Sequence, residues 1–336
     1  MYYRIVTLFL ICVMVFGLHG TVAQAATTTV RCSVSGTITI TDNSVRRHNA
    51  CTGTAIVPPA VTSIGDAAFA DASALTAITI PAGVTIIGQN AFERASSLAT
   101  VTFAAGSKLT SIGAGAFSGA SALTAIIIPA GITSIGVNTF KGARRLVTFT
   151  FAAGSKLTSI GGSAFRDASA LTAISIPAGV TSIGYLAFYN ASSLATVTIP
   201  AEVTSIGDYA FHNASALSSV YYLGDKPTIA SDAFSGVSGA SAYIRSTATG
   251  YPVVGSLMNG LTVAVGVYTL TYNTKGGSAI APGVVLQGLP ISAPTAPTRS
   301  GYTFGGWSAS DGGSTLTFPY TPSTASDITL YAKWIK

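Results

Sequence analysis

Charge is what this chain has least of. Asp, Glu, Lys and Arg make up 8% of its 336 residues, where a soluble domain typically carries roughly 25%. Ala, Ser, Thr and Gly take their place, so the surface reads as neutral and rich in hydroxyls. The formal net charge is +6, but the cations are scattered and no run of them reaches four. A nucleic-acid footprint needs a gathered basic face, so nucleic acid is excluded as a partner. Histidine and cysteine are scarce too, three of each. With export removing His19 and Cys12, His48 and His212 are the remaining histidines and Cys32 and Cys51 the remaining thiols. A structural zinc site needs four ligands and only His48 lies near the cysteines, so no metal site is expected. Two thiols in an exported chain read as one disulfide, Cys32 to Cys51; closing a loop of about 20 residues contributes on the order of 3 kcal/mol.

Long apolar runs are also missing, with one exception at the start. Residues 8–18 are unbroken and apolar, preceded by Arg4 and followed by Ala23-Gln24-Ala25. Eleven residues of helix rise only about 16 Å, too little for a ~30 Å hydrocarbon core. The pattern predicts an export signal cleaved after Ala25, no integral membrane segment after cleavage, and a secreted or cell-surface location. Cys12 lies inside the apolar run behind Leu10 and Ile11, which excludes a lipoprotein cysteine.

Catalytic patterns are absent as well. There is no phosphate-binding glycine loop, no H-E-x-x-H, no C-x-x-C and no G-x-S-x-G. His212 sits in a variable loop and reads as exposed. Asp66 and Asp208 hold equivalent turn positions, where Asp solvates or caps a loop. Asp66 and Asp71 could approach each other like a glycosidase pair, but nothing else supports one. No catalytic residue, no cofactor and no enzyme activity are expected. Asn190-Ala-Ser192 and Asn213-Ala-Ser215 are glycosylation sequons that short Ser-rich repeats also produce by chance.

What the chain does have is a repeat. Ser-Ile-Gly or Ile-Ile-Gly ends at Gly65, Gly88, Gly113, Gly136, Gly161, Gly184 and Gly207. A phenylalanine follows each by four residues, from Phe69 to Phe211, and a leucine by ten, from Leu75 to Leu217. The step is 23 residues, lengthened twice to 25 by the same insert, Ala-Ala-Gly-Ser-Lys-Leu. An insert tolerated at one fixed place marks a loop. Within a unit, Ile78 and Ile80 alternate with small polar residues, which is strand periodicity. Pro81 stops that strand, residues 84–87 form a second one, and Ala91-Phe92 opens a compact turn or short helix. No unit buries its apolar stripe alone, so stacked units must bury Ile, Phe and Leu as ladders. The period and the L-x-x-I-x-I core fall in the leucine-rich-repeat range.

The pattern I-P-x-x-V-T-S-I-G-x-x-A-F-x-x-A-x-x-L-T-x-I resembles the BspA-like leucine-rich repeats of microbial surface proteins. That resemblance implies a solenoid and a surface binding or adhesion role. The family usually has Cys in the slot held here by Ala72, Ala95, Ala120, Ala143, Ala168, Ala191 and Ala214. From Tyr268 the repeat is gone. Gly305-Gly306-Trp307 and Tyr331-Ala332-Lys333-Trp334, after a Pro-rich stretch over 282–297, resemble the internalin-type B-repeat. That implies a small β-grasp-like module serving as a spacer or accessory binding unit. Trp307 and Trp334 read either as its core or as a sugar-stacking platform.

The expected architecture is mainly β: a curved leucine-rich-repeat solenoid of short strands and turns, then a small β-grasp-like domain. The expected division is a signal peptide over 1–25, an N-terminal cap over 26–55, the solenoid over 56–246, closing strands and a linker over 247–267, and the B-repeat-like domain over 268–336. In the L-x-x-I-x-I strand the leucine and isoleucines point inward. The concave face is then built from Thr79, Thr102, Ile127, Thr150, Ser175, Thr198 and Tyr221, beside Ala77, Thr100, Ala125, Thr148, Ala173, Thr196 and Ser219. It bears no charge; Arg94, Lys141, Arg144, Arg145 and Arg166 fall in loops at its margin. Solenoids commonly bind on this face, which marks the first column, with Tyr221 as its aromatic anchor, for an extracellular protein or glycan. The competing readings are that a tightly curved face has room only for small side chains, and that the chain is a structural, self-associating matrix component.

Overall fold

The computed structural model describes residues 27–33, 37–41, 44–45 and 51–336, with side chains from 51 onward and at Cys32 and Ser33. The export signal, its cleavage point at Ala25, residues 34–36 and His48 lie outside the described residues. Every regular element among those described is a strand. Of the compact turn or short helix expected from Ala91, the structure has the turn.

The repeat builds two parallel ladders. The L-x-x-I-x-I segments form strands such as Leu75–Ile80, Thr100–Phe103 and Ala125–Ile128. They pair in parallel and in register, Ile78 with Val101 and Ile126 with Phe149. The Ser-Ile-Gly segments, and Thr228–Ile229 in their place in the eighth unit, form two-residue strands on the other side of the coil, beginning at Ser63–Ile64. Between the ladders lies one continuous core. Leu75, Leu98 and their equivalents are buried, as are all seven alanines in the Cys slot.

Phenylalanine forms the spine. Phe69, Phe92, Phe117, Phe140, Phe165, Phe188, Phe211 and Phe234 are fully buried and stack one on the next, 5.0 to 5.6 Å between ring centres. The eighth unit, which has lost Ser-Ile-Gly, therefore keeps its ring in the stack. The widest step, 5.6 Å, is Phe140 to Phe165. There Phe149 occupies a slot that holds Ile or Val in the other units, and its ring wedges edge-on between the two at 5.1 and 4.7 Å. The concave sheet divides at the same level, between Thr148–Phe151 and Ala173–Ser175. An oversized side chain in a close-packed core displaces its surroundings, and the spine step across Phe149 is the widest of the stack.

Each coil turns through two residues with positive φ. One column runs Ala67, Asn90, Gly115, Asn138, Ser163, Leu186, Tyr209 and the other Asp71, Arg94, Gly119, Gly142, Asp167, Asn190, Asn213, Gly236. Asn, Asp and Gly suit that left-handed region; Leu186, Tyr209 and Arg94 do not. The repeat register imposes it on them.

The N-terminal cap is tied to the first turns. Cys32 and Cys51 are joined by a disulfide with their Cα atoms 5.7 Å apart. Thr54 N–H donates to Ser33 Oγ at 2.7 Å, and Ser44–Val45 pairs in parallel with Ser63–Ile64. At the other end, Ser241–Ile244 and Leu261–Val265 continue the concave ladder. Gly266 alone separates the last of these from Val267–Asn273, the first strand of the C-terminal sheet. That sheet pairs Val267–Asn273 with Ile328–Ile335 in parallel, flanked by Gly283–Leu286 and Thr303–Ser308. The Pro-rich stretch thus contains a strand, which pairs through residues that follow Pro282. Leu270, Val285, Trp307 and Leu330 form the core of the sheet.

Candidate functional site

The two outward columns of the concave face lie as the repeat dictates. Thr79 pairs in register with Thr102, Ile127 with Thr150, Ser175 with Thr198 and Thr198 with Tyr221. From Thr79 to Ser175 these side chains are exposed, Ile127 by 62%, and Thr198 is half-buried. Their inward neighbours Ile78, Val101, Ile126, Phe149, Ile174 and Val197 are buried. Alternation along a parallel strand gives this division. No ionisable side chain interrupts either column before Tyr221.

Tyr221 departs from the expectation of a free anchor. It is 2% exposed. Its ring stacks on Tyr243 at 5.0 Å, and its hydroxyl donates to the Gln287 carbonyl at 2.6 Å. Burial pushes its pKa above the ordinary tyrosine value. The C-terminal module therefore covers this end of the face, and the open part runs from Thr79 to Thr198.

The inserts shape that open part. Residues 104–108 and 152–156 flank grooves on the concave side. The first, about 420 Å³, is lined by Thr102, Phe103, Ser107, Ile127 and Pro129. The second, about 440 Å³, is lined by Thr150, Phe151, Ser155, Ser175 and Pro177. Phe103 and Phe151 are half-buried wall residues that the periodicity did not single out. Their slot holds a buried Ile in neighbouring units, Ile80 and Ile128. The signal was present: both phenylalanines directly precede an Ala-Ala-Gly-Ser-Lys insert.

The remaining sequence-derived candidates are structural. Trp307 is 2% exposed and packs on Tyr272 and Phe304, so no sugar reaches its face. Trp334 donates from Nε1 to the Thr274 carbonyl at 2.9 Å. His212 is half-buried rather than exposed, stacked on Tyr189 at 4.9 Å and edge-on to Tyr209. Asp66 accepts from the Gln89 N–H at 2.7 Å, and Asp71 pairs with Arg94 at 2.6 Å. Both carboxylates thus bridge one turn to the next. Among the described residues no three His, Cys, Asp or Glu side chains gather to hold a metal ion, and no helix is long and apolar enough to cross a membrane.

Comparison with known proteins agrees with this architecture. The model of the BspA type leucine-rich repeat region matches residues 40–156 and 150–250, and that of the Listeria-Bacteroides repeat domain matches residues 268–333. No curated protein matches the chain. Among solved structures it is similar to a leucine-rich cell surface protein from Faecalibacterium prausnitzii, at 24% identity, over 65% of this chain and 76% of that one, with a TM-score of 0.39. The leucine-rich repeat protein of T. pallidum is 21% identical over 57% of this chain and 81% of its own, with a TM-score of 0.41. One from Bacteroides ovatus is 19% identical over 67% and 71%, with a TM-score of 0.36. With the repeat model matched over more than half its length, the chain belongs to the BspA-type leucine-rich-repeat family.

Proposed function

We propose that the chain is a binding module of the cell surface or extracellular space, using the concave face between Thr79 and Thr198 to dock a protein or neutral glycan. One observation carries this reading. Ile127, 62% exposed, stands between Thr102 and Thr150 in its column on an uncharged face and lines the groove beside the first insert. An apolar anchor within a shell of adaptable polar groups is the usual make-up of a binding centre. The family supports the same role, since leucine-rich-repeat proteins generally serve as non-enzymatic binding scaffolds.

Screening residues 26–336 on protein and glycan arrays identifies the ligand. Ile127→Asp and Thr150→Lys, both on exposed positions, are then expected to weaken binding by at least about tenfold while thermal unfolding stays unchanged. Undiminished affinity in both folded variants would move binding off this face.

A further inference from the structure

We infer that the solenoid carries a second binding surface, on its lateral edge, for an acidic oligosaccharide. The edge is the row of turns between the Phe spine and the concave strands. Near-identical units make any departure from the repeat conspicuous. The residue after the buried alanine is Ser in every unit but one, as at Ser121 and Ser169, and the next is Ala or Ser. In the fourth unit these positions hold Arg144 and Arg145. Both are exposed, and neither has an acidic partner within 4 Å among the described residues. Lys141, three residues before Arg144, has none either. Six other units fold with small residues in the two arginine positions, so the fold does not require the cations.

The charge is not balanced nearby. Residues 95–166 contain Lys108, Lys141, Arg144, Arg145, Lys156 and Arg166 and not one Asp or Glu. Arg166 is the exception to isolation, lying 3.5 Å from Asp167 with its guanidinium over the Tyr189 ring. Unpaired cations held close together on a low-charge surface raise the local concentration of anions.

A groove leads away from Arg144 across three further turns. It measures about 490 Å³ and is lined by Asp167, Ser169, Asn190, Ser192, Asn213 and Ser215. Every lining side chain carries a hydrogen-bonding group. Asn190 Nδ2 donates to Asp167 Oδ1 at 2.9 Å and Arg166 Nε lies 3.5 Å from Oδ2, so the Asp167 charge is balanced within the edge. Hydroxyls and amides in a shallow trough match the alternating donors and acceptors of sugar rings, and Arg144 at one end, with Arg145 next to it in the chain, matches a carboxylate or sulfate.

The test restores the repeat. Arg144→Ser with Arg145→Ala places the residues of neighbouring units at both positions and keeps the fold. Calorimetric titration of residues 26–336 uses octasaccharides of hyaluronan, polygalacturonate and heparin, with maltooctaose as the neutral control. At least one acidic octasaccharide is expected to bind, more weakly as salt rises, and at least about tenfold more weakly to the double variant. Carboxylate and sulfate probes separate the two anion types. Ile127→Asp on the concave face should leave this binding unchanged. The proposal is overturned if no acidic octasaccharide binds at about 1 mM, or if the double variant binds as the parent does. It also fails if maltooctaose binds equally, or if only phosphatidylglycerol vesicles are retained.

Discussion

Tyr222 occupies a slot that elsewhere holds Ile or Phe, as at Ile199 and Phe151, and it brings a hydroxyl into the core. That hydroxyl is fully buried and has no hydrogen-bond partner. A buried donor left unpaired destabilises by about 1–3 kcal/mol, so Tyr222→Phe should leave the protein as stable or more stable at neutral pH. Burial also holds the Tyr222 pKa well above its ordinary value, and Tyr251, packed edge-on against it, shifts the same way. The folded state then keeps its protons where the unfolded chain, with tyrosine near 10, releases them. Stability is fully present below about pH 10 and falls as pH rises above it. Denaturant melts between neutral and strongly alkaline pH should show a shallower fall in Tyr222→Phe than in the parent; equal slopes would mean that Tyr222 ionises freely. At this scale the sequence was legible only in part. Asp71, Asn90 and Gly119 advertise left-handed turns by their own chemistry. Leu186 and Tyr209 adopt the same φ, 54° in both, without any local signal, because neighbouring turns fix their register. Gly162 is comparable: a Cβ there would lie 2.3 Å from the Tyr185 ring, one unit on.

Ladders are the unit of stability at the next scale. Replacing Phe140 with Ala removes one ring of eight from a continuous stack and should cost about 3–5 kcal/mol, since close-packed neighbours relax only partly. His212→Ala removes one stacking partner at a half-buried position and should cost about 0.5–1.5 kcal/mol. Chemical denaturation of the two variants checks the order; a larger loss at His212 would place the edge, not the spine, at the centre of the fold. Strand positions, inward residues and insert loops were readable because a 23-residue period leaves few alternatives for which side chain repeats against which. The split in the concave sheet was not. It falls at the level of Phe149, whose ring wedges between Phe140 and Phe165, and a hydrophobic pattern registers that ring as merely another apolar residue.

Across the whole molecule, the concave face is open in the middle and covered at its C-terminal end, and that arrangement came from contacts without periodicity. Tyr221 and Gln287 are 66 residues apart in sequence, so nothing in the repeat linked them. The resemblance of the last 69 residues to a spacer module pointed to an appended unit, whereas the structure gives it a fixed seat. Gln287 N–H donates to the Gly266 carbonyl at 2.9 Å, and Gly266 N–H to the Ile244 carbonyl at 3.0 Å. Arg245 reaches Thr269 Oγ1 at 3.4 Å. The module thus closes the end of the solenoid much as the disulfide-tied strands serve the other end, and Leu257–Met258 lies antiparallel on the last concave strand.

Gly266 tests whether seat and solenoid melt as one. A Cβ at this position would sit 2.3 Å from the Tyr243 ring and 3.1 Å from Gln287 Oε1. Gly266→Val therefore has to push Tyr243 aside, and Tyr243 is the ring on which Tyr221 stacks. The solenoid spine and the core around Trp307 share no residue, so each retains its own packing in the variant. Calorimetry of the parent should show the C-terminal module and the last repeats unfolding in one transition. In Gly266→Val that transition should divide in two, with Tyr221 exposed to iodination in the native state. Tyr221→Phe, which removes only the bond to Gln287, should lower the joint transition by about 0.5–1.5 kcal/mol without dividing it. Two transitions already present in the parent would mean that the module hangs freely and that the face extends to Tyr221 after all.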